Sequence, residues 1–215
     1  MIIHNSSIIL ASKSPRRRRL LESAGIKFTI TPSCVQENNF LLLKPENYVR
    51  TLAEAKAQDI ADKNPEIWII GADSIVLINN TILEKPESIS DARQMIQQLS
   101  GKPHIVLTGY SIICKKNSYI FTDVVKTEVT FKKLTDEEIE WYISTKEPYD
   151  KAGGYAIQGL GSFMIKNING SYTNVVGLPV CEVLDQLYRQ GVISRKTAFA
   201  DIKTKTGKIN SERSN

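Results

Sequence analysis

Histidine and paired cysteine are both scarce in this chain. His4 and His104 are the only imidazoles, far apart, and Cys34, Cys114 and Cys181 form no CxxC pair. That spacing excludes a zinc site built on clustered imidazoles and thiolates, and an odd, scattered set of thiols gives no disulfide framework. No apolar run approaches the ~20 residues that a membrane span needs. The first dozen residues, MIIHNSSIILAS, lack the basic start and longer apolar core of a secretory signal, so a cytoplasmic protein with no membrane partner is expected. Net positive charge is also scarce over most of the chain. The net charge is +5, but residues 195–215 carry six basic residues against two acidic ones and so hold four of those five charges. The excess is a property of the tail, not of a nucleic-acid-binding body, and nucleic acid is not the expected partner.

What remains is 215 residues of ordinary globular composition, 41% hydrophobic and 24% charged. The stretch ASKSPRRRRLLESAG predicts a helix capped by Ser14, opened by Pro15 and stopped by Gly25, preceded by a short strand over 7–11. A second helix is expected from Pro45 to Asp62. EIWIIGADSIVLINN gives two apolar runs, Ile67 to Ile70 and Ile75 to Ile78, broken at Gly71–Ser74, with Asn79-Asn80 turning a hairpin into TILEKP. A helix capped by Ser90 runs to Leu99. Strands follow at Ile105 to Cys114 and Tyr119 to Phe131, and Thr135–Glu138 is a capping box with Leu134 and Ile139 as its hydrophobic staple. After a glycine-rich segment from Asp150 to Pro179, Val180 to Gln190 is a last helix. Strands and helices mix without strict βαβ alternation, which predicts an α/β fold with a mixed sheet. With no repeat and no sharp linker, residues 1–194 read as one domain and the polar residues 195–215 as a poorly ordered tail.

Four stretches hold polar groups that a core or turn does not need. Ser12, Ser14, Arg16 and Arg17 at a helix start form either a phosphate site or a solvated basic face; a helix N-terminus is already positive, so four arginines there ask for an anion. Asp73 in GADS is a carboxylate able to hold a metal or accept a proton, or an ordinary turn aspartate. Lys85, before Pro86, either neutralises phosphate or sits in a surface turn. Asp150-Lys151-Ala152-Gly153-Gly154-Tyr155-Ala156-Ile157-Gln158-Gly159-Leu160-Gly161 is either a ligand loop, with Gln158 offering donor and acceptor to a base edge, or a glycine-rich hairpin.

Taken in order, LASKSPRRRRLL, GADSIVLINNTILEKP, SGKPHIVLTGY, DKAGGYAIQGLG and INGSYTNVVGLPV resemble the Maf family of nucleoside triphosphate pyrophosphatases from about Ile8 to Tyr188. YAIQGLG and INGSY are most similar to the branch associated with dTTP and UTP. The resemblance implies a two-lobed α/β fold around a cleft, similar to the inosine triphosphate pyrophosphatases, and cleavage of a nucleoside triphosphate to monophosphate and pyrophosphate with Mg²⁺ or Mn²⁺. A 7-methyl-GTP or modified-nucleotide pyrophosphatase, or a cell-division regulator acting through a partner, is the alternative. The resemblance to the Maf family further implies Asp73 as proton acceptor and metal ligand, Glu37 as a second metal-facing acid, and Arg16, Ser74 and Gln158 at positions of substrate choice. Ser12, Ser14, Arg17, Lys56, Lys85, Asp150 and Lys151 would bind the substrate, and the resemblance allows a homodimer.

Overall fold

The computed structural model describes residues 2–36 and 43–196. It starts with two three-residue strands, β1 (Ile2–His4) and β2 (Ile8–Leu10). The helix α1 (Pro15–Ser23) begins as its sequence predicts, with Pro15 in the first turn and the Ser14 hydroxyl accepting from the Arg17 amide. A two-residue strand, β3 (Thr29–Ile30), precedes α2 (Pro45–Ala61), whose Tyr48, Val49, Leu52, Ala53, Ala57 and Ile60 form one buried face at helical spacing.

GADS does not interrupt a strand. β4 (Trp68–Ile78) runs unbroken through it, so the expected break at Gly71–Ser74 is corrected to mid-strand. The glycine there answers to a helix packed against the strand, not to a turn. Asn79 and Asn80 do turn the hairpin, both at positive φ (49° and 63°), into β5 (Thr81–Leu83). The next helix, α3 (Ile89–Leu99), is capped by Ser88 instead of Ser90: Ser88 is extended and its hydroxyl accepts from the Asp91 amide at 3.0 Å, which places Ser90 inside the first turn. Two long strands follow, β6 (Pro103–Cys114) and β7 (Tyr119–Phe131), then α4 (Asp136–Ile143) with its capping box formed between Thr135 and Glu138. Leu134 and Ile139 are buried in the same apolar cluster, as a staple requires. The chain closes with β8 (Ile165–Asn169), α5 (Tyr172–Val176), α6 (Val180–Arg189) and β9 (Ile193–Arg195).

The strands form a mixed sheet in the order β3-β2-β4-β6-β7-β8, with β5 on β4; β2 is parallel to both of its neighbours and the remaining pairs are antiparallel. β1 and β9 make a separate two-stranded ribbon that joins the two ends of the described chain. Alternation along β4 sorts the core. Trp68, Ile70 and Ala72 pack with Leu21 of α1 and with Val183 and Leu187 of α6, whereas Val76 and Ile78, farther along the same face, pack with α3 and α4. Ile69 and Ile75 point to the opposite face, against α2. One face of the sheet therefore carries two lobes and the other carries α2. No helix among the described residues is long and apolar enough to cross a membrane. Residues 197–215 of the expected tail and Glu37 lie outside the described residues.

Candidate active site

The lobes part where the sheet is notched. β6 accompanies β4 over 69–77 on one edge. On the other edge, β2 pairs only with 68–70 and β5 only with 76–78, so among the described residues no strand pairs with β4 between them. A cavity of about 820 Å³ opens there, within the range of small-molecule sites. Ser12, Ser14, Arg16, Arg17, Lys56, Asp73, Ser74, Lys85, Asp150, Lys151 and Gln158 all line it. Every sequence-predicted site residue in the described chain thus meets at one cavity, from segments far apart in sequence.

Asp73 and Ser74 are consecutive on β4 and so point to opposite faces of the sheet. Asp73 faces α2, where the Lys56 ammonium donates to its Oδ1 at 2.7 Å; both side chains are nearly buried. That reach depends on how closely α2 lies on the sheet. A Cβ at Gly71 would come within 2.4 Å of the Ala53 carbonyl oxygen, and one at Gly109, the register partner of Asp73, within 2.1 Å of the Val49 carbonyl oxygen. Two glycines under successive turns of α2 set the approach that brings the lysine to the carboxylate.

On the other face, Arg17 donates from Nε to the Gly177 carbonyl at 2.7 Å, from Nη1 to Ser12 Oγ at 3.2 Å and from Nη2 to Ser74 Oγ at 3.1 Å. Ser74 in turn shares a 2.9 Å hydrogen bond with Thr108, whose hydroxyl donates to the Asn174 carbonyl. The four arginines therefore divide. Arg16 donates to Asp150 at 3.2 Å, Arg17 holds the cavity wall, and Arg18 pairs with Glu22 one turn on. Only the first two line the cavity.

The segment after α4 forms the far wall. The Gly153 amide donates to the Glu84 carbonyl, which puts the Lys85 and Lys151 stretches side by side. Burial would raise the Asp150 carboxyl, but the hydrogen bond and charge of Lys151, with Arg16 beyond, outweigh it and hold the group below the ordinary aspartate value. Gln158 is exposed, and its amide donates to the Tyr172 hydroxyl at 3.1 Å. Gly177, which lines the cavity, and Thr108, which holds Ser74 from behind it, are singled out by none of the four stretches. Both lie inside stretches that carry the family resemblance, which is the signal that could have found them.

The cavity is thus lined by cations, hydroxyls and a few carboxylates. His104 is outside it, buried beside Phe131 and Tyr155, and burial pushes its imidazole down to about 4. Among the described residues no group of three or more His, Cys, Asp or Glu is gathered as a ready-made metal cage. The metal-ligating atoms the cavity does offer, carboxylate and hydroxyl oxygens, instead suit Mg²⁺ or Mn²⁺, which bind through one or two carboxylates and complete their shells with phosphate oxygens and water.

A family model described as Maf-like protein matches residues 7–190. The chain is 50% identical over 193 residues to a dTTP/UTP pyrophosphatase of Geotalea uraniireducens (strain Rf4), covering 90% of this chain and 100% of that one. It is 47% identical over 180 residues to a dTTP/UTP pyrophosphatase of Bacillus cereus (strain ATCC 14579), covering 84% and 93%. Among solved structures, a nucleoside-triphosphatase / dITP/XTP pyrophosphatase from Mycobacterium abscessus aligns over 86% of this chain and 95% of its own, with a TM-score of 0.42 and 11% identity. A likeness that loose says nothing of activity.

Proposed function

As the chain belongs to the Maf family, we propose that it is a nucleoside triphosphate pyrophosphatase that converts dTTP and UTP to the monophosphate and pyrophosphate. The observation that carries this reading is the convergence of a nearly buried carboxylate with the basic side chains of Arg16, Arg17, Lys56, Lys85 and Lys151 at one cavity. A triphosphate brings several negative charges, and cleavage moves more onto the leaving pyrophosphate. Fixed cations aimed at that charge are the main catalytic resource in phosphoryl transfer.

Asp73 accepts a proton from the attacking water as its oxygen bonds to the α-phosphorus. The bond from that phosphorus to the bridging oxygen breaks, and pyrophosphate leaves with the electron pair. Lys56 orients the carboxylate through its charge-assisted hydrogen bond. Arg16, Lys85 and Lys151 meet the phosphates along the rim. Arg17 supports them chiefly by fixing Ser12 and Ser74. Asp73 would hold the divalent metal, Mg²⁺ or Mn²⁺, with Glu37 as a further candidate ligand. When bound, such an ion screens phosphate charge and polarises phosphoryl oxygens. Gln158 reads the base: its amide matches the adjacent N–H and C=O of uracil or thymine. The site of action is the cytoplasm, where these nucleotides are used.

Pyrophosphate release from dTTP, UTP, CTP, GTP, 7-methyl-GTP and inosine triphosphate, with Mg²⁺ or Mn²⁺, tests the proposal. Release from dTTP and UTP is expected, and Asp73→Asn should bind nucleotide yet lose hydrolysis by at least 100-fold. Full activity in that variant would remove Asp73 from the chemistry, and preference for a purine would overturn the role of Gln158.

A further inference from the structure

Glu147 takes no part in the chemistry described above, yet its side chain is the most heavily bonded acid in the 147–164 segment. Its Oε1 accepts from the Tyr142 hydroxyl at 3.1 Å and from the Gly161 amide at 2.8 Å, and its Oε2 accepts from the Leu160 amide at 3.0 Å. Tyr142 is fully buried in the α3–α4 core, so the carboxylate ties an exposed turn to a fixed point. Gly159 lies directly against it. That residue has φ +121°, which strains any other residue, and a Cβ there would fall 2.3 Å from Oε2, so a side chain would have to displace the carboxylate. The backbone carbonyl of the same Glu147 accepts from the Lys151 ammonium at 2.6 Å.

Gln158 immediately precedes this turn. Its amide is held on the far side by the Tyr172 hydroxyl, while its backbone leads through Gly159 straight into the two residues, Leu160 and Gly161, whose amides the Glu147 carboxylate holds. We propose that Glu147 is a positioning residue for base selection: its carboxylate fixes the 159–161 turn and thereby the place from which Gln158 meets the base. This rests on the reading of Gln158 as the base-reading residue. The division of labour within Glu147 makes the inference specific. The carboxylate serves the base end of the segment, and the backbone carbonyl serves Lys151 at the phosphate end. Changing the side chain should disturb the first and spare the second.

Glu147→Gln is nearly isosteric but carries one acceptor oxygen where the carboxylate has two. Its NH₂ group must face either the Leu160 amide or the pair formed by Gly161 and Tyr142, and it meets a backbone N–H donor against donor in both cases, since only the Tyr142 hydroxyl can turn to accept. The experiment compares kcat/KM for UTP and CTP, whose base edges present opposite donor and acceptor order, and measures inhibition by inorganic tripolyphosphate, which carries no base. The UTP-to-CTP ratio is expected to fall at least 10-fold while the tripolyphosphate Ki stays within 2-fold. An unchanged ratio, or a Ki that rises in step with the loss of activity, would overturn the proposal. Gly159→Ala, which drives a methyl onto the same carboxylate, provides the same readout if Glu147→Gln does not fold. Gln158→Ala run in parallel separates the two claims. If it leaves the ratio intact while Glu147→Gln lowers it, Glu147 still anchors the selective segment and the base reader is another residue of that segment. If Gln158→Ala lowers the ratio and Glu147→Gln does not, the anchoring role fails and the base-reading role stands.

Discussion

Replacing Gly109 by alanine would drive a methyl group into the backbone of α2. The added Cβ would lie 2.1 Å from the Val49 carbonyl oxygen, 2.4 Å from its carbon and 2.8 Å from the Arg50 nitrogen, whereas ordinary contact begins near 3.4 Å. Its φ is not positive, so the glycine serves space and not conformation. If the helix moves as a unit, it must withdraw by about 1.3 Å, because a backbone carbonyl cannot swing aside as a side-chain tip can. Overpacking of this kind costs about 1–3 kcal/mol, and the backbone contact argues for the upper end. The same displacement draws Lys56 away from Asp73, now 2.7 Å apart. An error of about 1 Å in a reacting constellation costs on the order of 100-fold in rate. Urea unfolding should therefore show a loss of about 3 kcal/mol, and pyrophosphate release a fall in kcat of on the order of 100-fold. Gly191→Ala is the control. Nothing lies within 4 Å of its added Cβ, but its φ is +66°, so it should lose about 1 kcal/mol to backbone strain and keep its activity. A Gly109→Ala protein with parental stability and parental kcat would refute the claim that α2 is set by these glycines.

Two further outcomes follow from buried groups. Burial holds His104 neutral down to about pH 4 in the folded protein, whereas the unfolded chain takes up its proton near 6.5. Between those values the unfolded state binds more protons, so stability falls as pH drops through this window, by up to about 3 kcal/mol, and no further below it. Denaturation at pH 7, 5.5 and 4.5 should show this slope in the parent and its absence in His104→Gln; an equal slope in both would assign the loss to other groups. Lys56→Met leaves the nearly buried Asp73 carboxylate without its ammonium partner. It should cost about 3 kcal/mol in unfolding and abolish detectable pyrophosphate release, and a stable, active variant would show that the pair neither holds the fold nor orients the carboxylate.

Much of this could be read locally. The cap at Ser14-Pro15, the Thr135–Glu138 capping box and the Asn79-Asn80 turn each carry their chemistry within a few residues, and all three form as expected. The misreadings arise where the deciding partner is distant. Gly71 in GADS has the look of a turn residue, but its reason is the Ala53 carbonyl of a helix closed ten residues earlier, so the strand continues through it. Ser88 and Ser90 are both competent caps by type, and only the extended backbone at Ser88 decides between them. The ribbon of β1 and β9 pairs three-residue segments from opposite ends of the described chain and has no local signature. No local pattern singles out Glu147, because two of its three donors, the Leu160 and Gly161 amides, reach it only after the turn at 159–161 has folded back on it.

The notch in the sheet explains why the proposed chemistry centres on Asp73-Ser74 and not deeper in either lobe. Neighbouring residues of a strand point to opposite faces, and within a fully paired sheet no single ligand could touch both. Here β2 ends at Leu10 and β5 begins its pairing at Val76, so the intervening edge of β4 opens both faces to one cavity. From one face come Asp73 and Lys56, from the other Ser74 and Arg17. The chain leaving β2 turns directly into α1, which delivers Arg16 and Arg17 to the same gap. The clash of these two and of Arg18 with the positive end of their own helix is relieved one residue at a time, by Asp150 for Arg16, by oxygens of Gly177, Ser12 and Ser74 among the described residues for Arg17, and by Glu22 for Arg18. A triphosphate lying across the notch would meet the carboxylate from the α2 side and the guanidinium of Arg16 from the α1 side. In-line attack needs that geometry: the water activated on one flank of the α-phosphorus and the leaving charge received on the other.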